Sequence, residues 1–111
     1  MRTSTLLSPH DLAEREVARV LEQEFGAAWF PEYHRFSIDR DDAFVAVDVD
    51  REFTTRLPVD EQQTLATQLG FLPRTALHVQ SSAYHLGSAQ LAEQVFQTLC
   101  SFFDGRALSA A

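Results

Sequence analysis

The chain of 111 residues contains no lysine and only one cysteine. Its nine basic residues are all arginine, against sixteen acidic residues, so the formal net charge is −7. Nucleic acids and anionic membrane surfaces are bound by clustered basic side chains, so neither is an expected partner. The single cysteine, Cys100, excludes an internal disulfide. The exclusive use of arginine is typical of a GC-rich genome and favours a bacterial source.

Long apolar runs are also missing. No run approaches the length of a membrane span, and the apolar stretch near the first residue is too short for a signal peptide, which predicts a cytoplasmic protein. There is no glycine-rich phosphate loop, no nucleophile elbow and no closed set of metal ligands, so we expect no cofactor and no metal ion. The hydrophobic fraction of 45% supports one folded domain over residues 1–111, with frayed tails at 1–7 and 109–111.

The spacing of apolar residues predicts the order α-β-β-α-β-α. Helices are predicted over residues 9–25 and 58–69 and from Ser88 to Asp104-Gly105, and strands over 33–39, 43–53 and 75–81, with a short edge strand at 106–108. Ser8 and Ser88 are expected to cap the first and last helices. The fold class is therefore α+β: a two-layer sandwich of a three- or four-stranded, mostly antiparallel sheet with helices on one face.

The sheet face without helices is where we expect the function. In segment 43–53, Val45, Val47, Val49 and Phe53 share one side, whereas the other side turns acidic. The carboxylates of Asp48, Asp50 and Glu52 lie in one row, which favours a basic partner, a cation or water alone. The residues predicted for this open face are Tyr33, Arg35, Ser37, Asp48, Asp50, Glu52, His78 and Gln80.

Two other places carry candidate contact residues. Tyr84 and His85 lie in the polar loop 82–87, where a tyrosine suits an interface. Trp29 belongs to an aromatic run between the first helix and the first strand, and it either closes one end of the core or protrudes as a binding anchor.

A catalytic site is a further possibility, with His78 as a general base beside a carboxylate and a serine as nucleophile.

The segment Leu69-Gly70-Phe71-Leu72-Pro73, the strand after it and the helix that closes at Asp104-Gly105 carry a resemblance. Over residues 65–108 the chain resembles small cytoplasmic immunity proteins, which neutralise bacterial polymorphic toxins. This resemblance implies a non-enzymatic inhibitor that occludes a basic toxin domain through an acidic surface, and it implies no catalytic residues. The alternatives are a self-associating adaptor or subunit, for instance a homodimer, and a small enzyme with a site formed by His78 and a carboxylate.

Overall fold

A single antiparallel sheet organises the protein, whose computed structural model describes residues 2–33 and 35–108, apart from the side chain of Tyr33. The α+β class is confirmed. The strands are β1 Arg2–Ser8, β2 Ala28–Phe30, β3 Arg35–Arg40, β4 Ala43–Asp50, β5 Thr75–Ser81 and β6 Arg106–Ala107. The helices are α1 Glu14–Phe25, α2 Val59–Leu69 and α3 Ser88–Phe103, and 3-10 turns span Pro31–Tyr33 and Thr54–Arg56.

The strand order is β2-β3-β4-β5-β1-β6, with every neighbouring pair antiparallel. The predicted hairpin is present: β3 and β4 pair from Arg35 opposite Asp48 to Arg40 opposite Ala43, around the two-residue turn 41–42. β5 has the predicted bounds, and the short final strand pairs with β1. The sheet is nevertheless wider than the predicted three or four strands, because β1 and β2 were not predicted.

The largest correction concerns the start of the chain. Residues 1–7 were expected to fray, but Arg2–Ser8 pairs with β5 over its whole length. Leu6 and Leu7 are both fully buried, on opposite faces of the sheet. Ser8 does not cap the first helix, because its hydroxyl donates instead to the carbonyl oxygen of Phe103, the last residue of α3, at 2.6 Å. The first helix accordingly begins at Glu14 rather than at residue 9.

Helices α1 and α3 cover one face of the sheet, as predicted. α3 contacts β1, β4 and β5, and α1 contacts β3 and α3. The alternation of apolar residues in β4 and β5 is confirmed, since their inward side chains are buried in this core. The cluster includes Val17 and Leu21 of α1, Val45 and Val47 of β4, Leu77 and Val79 of β5, and Val95 and Leu99 of α3.

Helix α2 overturns the prediction that all helices share one face. α2 packs at one end of the opposite face, where Leu69 meets the outward side chains Leu7 and Ala76. Phe53 joins this second cluster instead of the main core, because β4 ends at Asp50 and the chain turns before reaching residue 53. The open face is thus partly covered, and the part left open is where β3, β4, β5 and β1 lie side by side.

Among the described residues, no helix is both long enough and apolar enough to span a membrane. The predicted tail at 109–111 lies outside the described residues.

Candidate functional site

The open sheet face carries a network of polar side chains centred on Asp48. Strand register places Arg35 and His78 directly on either side of it. Arg35 donates through Nε to Asp48 Oδ1 at 2.8 Å and through Nη2 to Oδ2 at 3.2 Å, and Gln80 Nε2 donates to Oδ2 at 2.8 Å. The hydrogen bonds to Asp48 raise the pKa of the Arg35 guanidinium above its usual value. The Asp48 carboxylate is therefore already paired within the protein.

A second set of contacts surrounds Asp50. Arg56, which arrives from the 3-10 turn, donates to both carboxylate oxygens, and the backbone N–H of Glu52 donates to Oδ1 at 3.1 Å. His78 Nε2 lies 3.3 Å from Asp50 Oδ2, and its other ring nitrogen, Nδ1, lies 2.8 Å from the hydroxyl oxygen of Thr5. These bonds join β1, β5, β4 and the turn. We call the residues Thr5, Arg35, Asp48, Asp50, Arg56, His78 and Gln80 the sheet-face network.

The pKa of Asp50 follows from this surrounding. Burial alone would raise it, but the hydrogen bonds from Arg56, from His78 and from the N–H of Glu52 outweigh burial, so the pKa lies below its usual value. Asp50 is thus held as a carboxylate with cationic and polar partners.

The expected row of three carboxylates needs correction. Asp48 and Asp50 each face an arginine, whereas Glu52 lies beyond the end of β4, with an exposed side chain. The row is therefore two carboxylates long and internally compensated. Sequence reasoning placed Arg35, Asp48 and His78 on one face but missed Thr5 and Arg56. The sequence around Thr5 and around Arg56 does not alternate in the way that predicts a strand, so it gave no indication of this face.

The predicted aromatic contacts lie apart from the network. Trp29 is on the helix-covered side of β2, half-buried, with its ring centroid 4.4 Å from that of Phe36. Tyr33 ends the 3-10 turn before β3, and its side chain lies outside the described atoms. Trp29 thus closes the end of the core near β2 and β3.

A different surface forms where loop 82–87 lies beside the β3–β4 hairpin. The N–H of Ser82 donates to the carbonyl oxygen of Phe44 at 3.2 Å, and that of Gly87 to the carbonyl oxygen of Asp42 at 2.8 Å. Ser88 was expected to cap α3, but it does not. It is buried, and its hydroxyl accepts from the N–H of Phe44 at 2.8 Å, which ties the start of α3 to β4.

This surface, residues 39–42 and 82–87, is called the hairpin–loop end below. Tyr84 is 96% exposed and Leu86 is 101% exposed, so neither side chain packs on the protein. His85 Nδ1 lies 2.9 Å from the hydroxyl oxygen of Ser82. Leu86 was not predicted as a contact residue, although an apolar leucine between His85 and Gly87 in a polar loop indicates one.

The hairpin–loop end also carries an excess of negative charge, since three aspartates accompany the single exposed arginine, Arg40. Asp39, Asp41 and Asp42 are exposed, and no ion pair within the described part of the chain involves them. They differ in this from Asp48 and Asp50. This end therefore combines protruding apolar side chains with unpaired carboxylates.

Metal and thiol chemistry find no support in the described residues. No group of three or more histidine, cysteine, aspartate or glutamate side chains among them is arranged to hold a metal ion. Cys100 is half-buried, and burial raises the pKa of its thiol, which disfavours the nucleophilic thiolate at neutral pH.

Comparison of the chain with protein-family models, with curated proteins and with solved structures found no match.

Proposed function

We propose that this protein is a non-enzymatic binding module, an immunity-type inhibitor that occludes a basic toxin domain through an acidic surface. The observation that carries the proposal is the hairpin–loop end. There, Tyr84 and Leu86 protrude almost completely into solvent beside the unpaired carboxylates of Asp39, Asp41 and Asp42. Protein interfaces place aromatic anchors at the centre and charged groups at the rim, and this end offers both.

The electrostatics favour the hairpin–loop end over the sheet-face network. A basic partner that bound Asp48 or Asp50 would have to displace Arg35 or Arg56, and the displaced arginine would repel it. The aspartates of the hairpin lose no internal partner on binding. The net charge of −7 attracts a cationic protein from a distance, and these exposed carboxylates would guide its final approach.

Inhibition would then work by occlusion. A toxin domain that acts on an anionic substrate needs a basic surface, and the carboxylates of Asp41 and Asp42 would take the place of that substrate's negative groups. Tyr84 and Leu86 would enter apolar slots of the partner and slow its release, because buried anchors mainly set the dissociation rate.

The test requires the partner, obtained by co-purification with the tagged protein from its native host and identified by mass spectrometry. Association is measured at several salt concentrations for a variant with Asp39, Asp41 and Asp42 all changed to Asn. We expect association to slow by about tenfold and to lose most of its salt dependence. The matched control changes Glu16, Glu22 and Glu24 of α1 to Gln, which removes the same charge from a remote helix.

The apolar anchors are tested separately. Tyr84→Ala and Leu86→Ala should each raise the dissociation rate by about tenfold or more while association stays nearly constant. The toxin should also lose its activity when the parent chain is bound to it. If the α1 control slows association as much as the hairpin variant and both anchor variants dissociate like the parent, the hairpin–loop end is not the interface.

A small enzyme is the second candidate, because Thr5, His78 and Asp50 form a chain of hydroxyl, imidazole and carboxylate. In such a chain the imidazole would take the proton of the Thr5 hydroxyl as it attacked an ester. Hydrolysis of p-nitrophenyl acetate is the assay. Turnover that is lost in both His78→Gln and Thr5→Val would favour the enzyme, whereas equal rates in parent and variants would leave the network a structural one.

A further inference from the structure

The loop of the hairpin–loop end is fastened to the β3–β4 hairpin at both of its ends. At its start, the N–H of Ser82 donates to the carbonyl oxygen of Phe44 at 3.2 Å. At its end, the N–H of Gly87 donates to the carbonyl oxygen of Asp42 at 2.8 Å. The next residue, Ser88, accepts from the N–H of Phe44 through its hydroxyl oxygen at 2.8 Å. The residues between these attachments therefore form a short arc whose two ends are fixed on the same hairpin.

Hydrogen bonds inside the loop fix the arc itself. The hydroxyl oxygen of Ser82 accepts from the N–H of Tyr84 at 3.2 Å and lies 2.9 Å from Nδ1 of His85. The N–H of Ser88 donates to the carbonyl oxygen of His85 at 3.1 Å. A loop that has to acquire its order on binding loses affinity through the entropy of ordering, whereas this loop is already ordered in the free protein.

Gly87 allows the loop to lie this close to the hairpin. Its φ of −81° and ψ of −5° lie in the right-handed region, which is open to any residue, so glycine is not needed for its backbone conformation. A Cβ atom at this position would lie 2.9 Å from Oδ2 and 3.1 Å from the carbonyl oxygen of Asp42. Because the carbonyl oxygen is part of the backbone, a side chain here would push the loop away from the hairpin.

The arc presents its two large apolar side chains outward. Tyr84 and Leu86 are almost fully exposed, so both stand clear of the protein body. A flat partner surface would contact only their tips, whereas a concave one would enclose both side chains. Burial of both anchors therefore requires a cleft in the partner.

We propose that this loop, residues 82–87, is a preorganised insertion loop, which enters a concave cleft of the basic partner in the shape that it already has. Its positioning residues are Ser82, Gly87 and Ser88, which hold the two apolar anchors in place through the hairpin and the loop backbone. The inference rests on the proposed function, because it concerns the same interface. Since affinity falls with the fraction of molecules in the binding-competent shape, loosening the loop weakens binding without removing a contact.

The first test needs no partner. Amide hydrogen exchange of the ¹⁵N-labelled protein is followed by NMR in the parent and in Ser82→Ala, which removes the acceptor of the Tyr84 N–H. We expect the amide of Tyr84 to exchange about tenfold more slowly in the parent than in an unstructured peptide, and to lose this protection in Ser82→Ala. Ser82→Thr keeps the hydroxyl and should retain the protection. The matched control, Ser101→Ala, removes an exposed serine hydroxyl from α3 and should leave exchange in the loop unchanged.

The second test uses the partner obtained by co-purification. Ser82→Ala and Gly87→Ala should each bind about tenfold more weakly than the parent, although neither removes an anchor or a carboxylate. Ser82→Thr should restore the affinity to within about threefold. In the Ser82→Ala background, Tyr84→Ala should cost less affinity than it does in the parent, because the anchor is no longer held in place. Ser82→Ala, at a half-buried loop position, is the deciding variant if Gly87→Ala lowers the melting temperature.

The outcomes separate this inference from the proposed function. Free exchange of the Tyr84 amide in the parent, or equal exchange in Ser82→Ala and the parent, would show that Ser82 does not order the loop. A loosened Ser82→Ala that binds as tightly as the parent, while Tyr84→Ala binds weakly, would overturn preorganisation and leave the interface in place. If Tyr84→Ala, Leu86→Ala and the triple hairpin variant all bind like the parent, the interface itself lies elsewhere and the proposed function fails at this end.

Discussion

The sharpest test of the fold is the removal of one buried leucine from β1. Leu6 is fully buried in the main core, on a strand that local sequence patterns leave as a frayed end. Leu6→Ala deletes three carbon atoms, each worth about 0.8 kcal/mol of transfer free energy. The cavity that remains adds to this, since buried leucine-to-alanine changes cost about 2.7–5 kcal/mol in total. We therefore expect a loss of about 3–4 kcal/mol from a total stability of about 5–15 kcal/mol.

The measurement is thermal and urea unfolding of Leu6→Ala beside Leu86→Ala, which makes the same chemical change at a fully exposed position. For a domain of this size, the loss corresponds to a fall in Tm of about 10–20 °C. Leu86→Ala should stay within about 0.5 kcal/mol of the parent. If Leu6→Ala and Leu86→Ala unfold alike, Leu6 is not buried in the core and β1 is not part of the folded sheet.

Three further outcomes are expected. Val47→Asp should unfold the protein or lower its Tm by more than Leu6→Ala does, because an unpaired charge would enter the buried centre of β4; a parent-like melting curve would mean that the inward face of β4 is wrongly assigned. Asp50 has a lowered pKa in the folded state, so its contribution is present above its unfolded pKa of about 4 and is lost as the pH falls through the folded value. Urea midpoints measured between pH 2 and pH 6 should therefore fall more steeply for the parent than for Asp50→Asn in the acid range, and parallel curves would contradict this. Chelation by EDTA should leave the melting temperature unchanged; a fall of several degrees that zinc or calcium restores would reveal a required metal ion.

Elements with a strong local period could be predicted from the sequence. The alternation at residues 75–81 gave β5 its bounds and both of its faces, because a half-buried strand repeats every two residues. The helix at 58–69 was predicted within one residue, since Gly70 adopts the left-handed conformation with φ of 83° that ends it. In both cases the signal lies inside the element itself.

The start of the chain could not be predicted in this way. Leu6 and Leu7 are adjacent and both buried, because α3 covers one face of β1 and α2 covers the other. Such a strand shows no alternation. Its partner is also remote in sequence, as the contact between Thr5 and His78 spans 73 residues. Ser8 and Ser88 misled for the same reason, since their hydroxyls bond to backbone groups distant in the sequence rather than to the first N–H groups of the helices that they were expected to cap.

The predicted site was partly accessible to sequence reasoning. Alternation placed Arg35, Asp48 and His78 on one face, but it could not say which strands would be neighbours. Register decides that Arg35 lies opposite Asp48, and the turn after β4 brings Arg56 to Asp50. An acidic strand in the sequence thus became a compensated surface in the fold.

This compensation changes how the net charge acts on a partner. The ion pairs of Asp48 and Asp50 cancel the local field of those two carboxylates, yet the protein as a whole keeps its charge of −7. At physiological salt, interactions between exposed charges fade over about 8 Å, so a partner feels mainly the uncompensated groups nearest to it. Among the candidate surfaces, those groups are Asp39, Asp41 and Asp42 at the hairpin–loop end, which outnumber the neighbouring Arg40. A cationic protein drawn to this end would therefore meet the apolar anchors Tyr84 and Leu86, while the sheet-face network continued to hold the strands in register.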